Sequence, residues 1–105
     1  MLRVSALYPN QPGSRFDSAY YLGSHTELAM RLLGPHGLSA IRVTIGEASL
    51  DGSPPSFWAI SEMHFADRSA FDSAMATCGA ALFEDASNYT DVSPILQVSS
   101  LAGED

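Results

Sequence analysis

Lysine is absent from this 105-residue chain, and cysteine occurs once. The only basic side chains that stay charged at all pH values are Arg3, Arg15, Arg31, Arg42 and Arg68, scattered along the sequence against twelve Asp plus Glu. A nucleic-acid binder needs clustered positive charge to displace counterions from phosphate, so the net charge of −7 argues against nucleic acid as a partner. It argues equally against an anionic membrane surface. A single thiol, Cys78, cannot form an internal disulfide, so nothing marks an oxidising compartment. Cys78 lies on an apolar stripe with no basic residue within a turn, which suits a small core residue better than a reactive thiolate. No apolar run approaches the roughly 20 residues of a membrane span. Met1-Leu2-Arg3-Val4 runs directly into a strand pattern, so no secretory leader is expected and the default location is the cytoplasm. There is no glycine-rich phosphate cradle, no Gly-x-Ser-x-Gly and no Walker pattern, so no nucleotide or flavin cofactor is expected. The three histidines show no His-x-His or His-x-x-x-His spacing, so no metal site is expected either.

What is present suits one globular domain. Hydrophobic residues make up 46% of the chain, far above the disordered regime. A single domain over 1–101 is expected, followed by an acidic, frayed tail over 102–105.

Alternation makes Leu2 to Tyr8 a strand, which Pro9-Asn10-Gln11-Pro12-Gly13 ends. Phe16 to Leu33 reads as a helix with a break near Gly23, because Tyr21, His25, Leu28 and Leu32 fall on one stripe. Gly34-Pro35 stops it. Leu38 to Gly46 and Phe57 to Phe65 alternate as two further strands around a Gly- and Pro-rich loop. Asp67 suits the N-cap of a second helix, with Gly79 as its candidate point of splitting. Val92 to Leu101 is the fourth strand, with Pro94 near its start.

This order is βαββαβ, the ferredoxin-like α+β arrangement: a four-stranded antiparallel sheet with both helices on one face. Leu7, Trp58, Ile60, Leu96 and Val98 add apolar side chains beyond those one face holds. A second apolar face left in water marks an interface. A two-fold copy is the commonest way to bury it, so a homodimer is expected.

Leu7-Tyr8-Pro9-Asn10, Phe16-Asp17, Tyr20-Tyr21-Leu22 and His25 resemble the start of the EthD family. Trp58-Ala59-Ile60, Phe65, Phe71, Asn88-Tyr89-Thr90-Asp91 and Pro94 continue the likeness over nearly the whole chain. Thr26-Glu27-Leu28 departs from it, since many relatives carry a proline shortly after the histidine. The resemblance implies a dimeric α+β barrel, in which two ferredoxin-like sheets pack face to face. It implies a bacterial setting too. The family is named for a protein needed in ethyl tert-butyl ether degradation beside a cytochrome P450 system, so an oxygenase system is an implied partner. Related barrels include cyclases, isomerases and monooxygenases, and fold alone does not choose among them.

His25 is the sharpest candidate residue. A histidine inside an apolar stripe is costly unless its ring nitrogens find partners. It is either a satisfied core residue or the wall of a pocket, and the resemblance favours the pocket. There it would serve as an acid or base near neutral pH. Tyr21, one turn earlier on the same stripe, would orient it or bond a ligand oxygen. Tyr20 points elsewhere and is a packing or ligand-contact candidate. Trp58, Ile60, Glu62 and His64 share a strand face. If that face lines a dimer interior, they contact ligand, and Glu62 with His64 forms a proton-transfer pair. Otherwise Glu62 and His64 pair across strands with Arg3 or Arg42. His36 and Asp91 read as turn residues.

The expected function is a pocket for a small, mainly apolar, oxygen-bearing molecule. Any chemistry would be cofactor-free isomerase, cyclase or lyase work. The other readings are a binding or accessory protein that serves an oxygenase, and a ligand-free, stress-related dimer.

Overall fold

The computed structural model describes residues 1–102, so the expected acidic tail lies outside the described residues apart from Ala102. The strands are β1 (Leu2–Pro9), β2 (Ala40–Ile45), β3 (Phe57–Phe65) and β4 (Ile95–Ser100). They form one antiparallel sheet in the order β2-β3-β1-β4. The helices are α1 (Ser18–Tyr20), α2 (Thr26–Leu33) and α3 (Arg68–Asp85), with a π-helical stretch, Tyr21–His25, joining α1 to α2. This is the ferredoxin-like α+β topology.

Local chemistry sets the ends of these elements. The Asp17 carboxylate accepts from the Tyr20 backbone N–H at 3.0 Å, and Asp67 accepts from Ala70 at 2.9 Å, each satisfying a first-turn donor. The break expected near Gly23 is a π-turn, in which the Thr26 N–H bonds the Tyr21 carbonyl. Such insertions often sit at functional sites. The split expected at Gly79 does not occur, and α3 runs through it. A mid-helix glycine costs only about 1 kcal/mol. Gly46 is needed where it stands, because a Cβ there would collide with the Phe57 carbonyl oxygen.

The pairing register sorts the sheet into two faces. On the helix side, Leu2, Val4, Ala6 and Tyr8 stand beside Phe65, Met63, Ser61 and Ala59. Leu33 and Phe65, both 0% exposed, anchor the core under the helices. On the outer side run three cross-strand rows: Thr44-Ile60-Leu7-Ile95, Arg42-Glu62-Ser5-Gln97 and Ala40-His64-Arg3-Ser99. The register corrects the expectation of a broadly apolar outer face. Leu96 pairs with Ala6 and Val98 with Val4, so both belong to the helix side. One apolar row remains outside, beside two polar ones.

Candidate functional site

The chain folds over a cavity of about 200 Å³ between the sheet and the helices. Its floor is the sheet, at Val4, Ala6, Ser61 and Met63, and α3 supplies Phe71 and Met75. Phe83, Leu96 and Val98 line it and are also exposed, which marks the side on which it opens. Polar groups gather at one end, around His25.

Three segments bring that end together. The π-turn stacks Tyr21 on His25, with ring centroids 5.1 Å apart at 23°. The segment after α3 carries Tyr89, whose ring lies 4.7 Å from that of His25. Tyr89 is held there by its own backbone, since the Asp17 N–H donates to its carbonyl at 2.7 Å. The neighbouring Thr90 hydroxyl donates to the Arg15 carbonyl at 2.7 Å, and Asp91 accepts from the Arg15 N–H at 2.8 Å. β1 contributes Tyr8, whose hydroxyl is 2.8 Å from that of Tyr89.

The Nδ1 atom of His25 lies 2.9 Å from Oδ2 of Asp85, in the last turn of α3. An ionised carboxylate only accepts, so Nδ1 carries the proton and the neutral ring keeps its lone pair on Nε2. The other oxygen of Asp85 accepts from the Tyr20 hydroxyl at 2.7 Å and from Asn88 at 3.0 Å. Desolvation pushes the Asp85 carboxyl up, but the hydrogen bonds from His25, Tyr20 and Asn88 outweigh it and hold the group below its ordinary value. Tyr8, Tyr21 and Tyr89 are 4%, 3% and 1% exposed. Burial first, and then the neighbouring phenols, push the hydroxyls of Tyr8 and Tyr21 well above their ordinary value. Burial does the same to Tyr89, against a hydrogen bond from Tyr8 that pulls it down. All three stay neutral donors at any ordinary pH.

The structure places the sequence candidates in two groups. His25 and Tyr21 line the cavity, and Tyr20 stands behind them on Asp85. Ile60, Glu62 and His64 lie on the outer face. There Glu62 meets His64 Nε2, on its own strand, at 2.9 Å and Arg3 Nε, across strands, at 3.6 Å. Trp58 belongs to neither group. A register shift between Tyr8 and Pro9 frees it from the alternation, and its indole N–H donates to Ser14 at 2.9 Å while its ring stacks near Phe16. Sequence reasoning missed Asp85, Tyr8, Ser61 and the role of Tyr89. Tyr8 and Tyr89 stand in segments that carry the family likeness, whereas Asp85 meets His25 across 60 residues and had no local signal.

No helix among the described residues is long and apolar enough to cross a membrane. No family model and no curated protein matches the chain. Solved structures do. HapK from Hahella chejuensis, at 21% identity and a TM-score of 0.62 over 100% of this chain and 96% of that one, shares the fold. An ethyl tert-butyl ether degradation (EthD) family protein from Bacillus halodurans C-125 is 27% identical, with a TM-score of 0.76 over 96% of this chain and 98% of that one. An EthD-like protein from Ralstonia eutropha JMP134 is 35% identical, with a TM-score of 0.91 over 99% of this chain and 94% of its own. At that identity and coverage, the chain belongs to the EthD-like family.

Proposed function

We infer that this protein binds a small, uncharged, mainly apolar molecule in the cavity and acts on it with His25 as a general acid–base group. The observation that carries this reading is His25, held by Asp85, at one end of a mainly apolar cavity. The carboxylate fixes the tautomer and stabilises the imidazolium that forms when Nε2 takes a proton. No Arg, Lys, Asp or Glu among the described residues lines the cavity, so a carboxylate or phosphate on the ligand would find no counter-charge beyond a protonated His25, which Asp85 already balances. An ether or ketone oxygen in an apolar frame suits such a lining, which keeps ether catabolism beside an oxygenase within the range of substrates to screen.

The protein acts as a homodimer in this reading. The support is the exposed outer row of Ile60 and Ile95 beside Leu7, a patch that a two-fold copy covers. Sedimentation at micromolar concentration should show the dimer, and Ile60→Asp should dissociate it. A dimer of unchanged stability in that variant places the interface elsewhere.

The functional test is a thermal-shift and calorimetric screen of uncharged monocyclic compounds, followed by turnover assays of the hits. Ala6→Leu, which fills the cavity floor, should abolish binding. His25→Ala should keep binding and lower turnover by about 10²–10⁴-fold. Binding without turnover, unchanged by His25→Ala, would identify a carrier or accessory protein instead.

A further inference from the structure

The acid–base reading uses His25 and Asp85 and leaves a row of hydroxyls on the cavity wall without a task. Ser61, Tyr21, Tyr8 and Tyr89 all line the cavity, and the hydroxyls of Tyr8 and Tyr89 lie 2.8 Å apart. Hydroxyls in a row share one proton across each gap, and there is one gap fewer than there are protons. Between Tyr8 and Tyr89 one O–H is therefore left over. The ring of Tyr89 lies 4.7 Å from that of His25. A neutral phenol that cannot ionise at working pH is a fixed donor, suited to negative charge that develops on a nearby oxygen.

We propose that the Tyr8–Tyr89 pair is an oxyanion site, and that the natural ligand is an uncharged, enolisable carbonyl compound about the size of one substituted ring. The proposal rests on the acid–base reading of His25. A dry apolar cavity of about 150 Å³ takes a benzene ring. The cavity here, about 200 Å³, leaves room for a ring and one or two substituents. In the reaction, Nε2 of His25 removes a proton from the carbon next to the carbonyl. The C–H electron pair becomes a C=C bond and the carbonyl π pair moves to oxygen. The enolate oxygen accepts a hydrogen bond from the spare phenol. On a ligand whose enolate is conjugated with a further C=C bond, the imidazolium, balanced by Asp85 at 2.9 Å, then returns the proton to the far carbon of that bond and the oxygen pair re-forms the carbonyl. The net change is an isomerisation that consumes neither oxidant nor reductant. The ligand enters and leaves uncharged, which agrees with a lining free of charged side chains other than His25.

The test uses 4-nitrophenol, an enolate mimic whose anion absorbs in the visible, with nitrobenzene as its uncharged shape control. In wild-type protein about one pH unit below the phenol's own pKa, bound 4-nitrophenol should show the anion spectrum, since the proton passes to His25. Tyr89→Phe should cost the anion about tenfold or more in affinity, the size of a lost hydrogen bond to a charged group. It should leave nitrobenzene binding within about twofold. A bound phenol that keeps its neutral spectrum, with nitrobenzene bound equally well, overturns the oxyanion site and leaves the pocket standing. If neither probe binds, the pocket reading falls and the proposal with it. The wild-type spectrum decides the matter even if a tyrosine variant folds poorly.

Discussion

On the helix side of the sheet, polar groups are few, buried and gathered along one cavity: Tyr8, Tyr21, Ser61 and Tyr89, with His25 held by Asp85. On the outer side, Glu62 lies 2.9 Å from His64 and 3.6 Å from Arg3, beside an apolar row that lies open. Both faces hold a histidine next to a carboxylate. In one case both side chains of the pair are only 12% exposed, at the end of a cavity. In the other the carboxylate is 43% exposed, and solvent screens much of the interaction. In the proposed reading, the same two residue types serve chemistry on one face and surface pairing on the other. Burial decides which.

The sharpest way to break this contrast is to remove packing from each face. Phe65→Ala, on the helix side, should destabilise the fold by about 3–5 kcal/mol in urea titration. Ile60→Ala, at 40% exposure on the outer side, should cost the monomer less than about 1 kcal/mol. Comparable losses would mean that the outer row is as much a part of the core as the inner one.

Titration separates the faces next. The buried phenols ionise in the folded chain only well above the ordinary tyrosine value of 10.0, whereas in the unfolded chain they ionise near it. Their contribution is complete below that value and is lost as pH rises through the folded values. Stability should fall above about pH 10, by up to about 1.4 kcal/mol per pH unit for each phenol. Asp85 works in the opposite direction. Its folded value is depressed below 3.8, so its contribution is present above pH 3.8 and is lost as pH falls through the folded value. Asp85→Asn should flatten that acid limb.

The smallest expected effect belongs to the exposed pairs. Arg68 and Asp72, 2.9 Å apart at i, i+4 on α3, should couple by only about 0.3–0.5 kcal/mol in a double-mutant cycle. A value several times larger would show that surface pairs carry more of the fold than burial implies.

Much of this contrast was legible in the sequence. Alternation in Leu2–Tyr8 and Phe57–Phe65, and the Asp67 cap, specify the strands and α3 because these signals are local. The stripe that holds Tyr21 and His25 needs no more than helical spacing. The sides taken by Leu96 and Val98 were not legible, because side follows from register and register is settled by pairing with β1. The departure of Trp58 from its strand face depends on the shift opposite Pro9, which alternation alone cannot show. Asp85 was hidden for a similar reason. A carboxylate at a helix end has many roles, and only the packing of α3 against the π-turn gives it this one.

The central claim is that an apolar molecule enters the inner cavity and meets the free nitrogen of His25. Imidazole ¹⁵N spectra, recorded while nitrobenzene is added, test it directly, because the three histidines lie in different places. The account predicts that the Nε2 signal of His25 moves while those of His36 and His64 stay fixed. Movement of His64 with His25 unchanged would put the ligand on the outer face and contradict it.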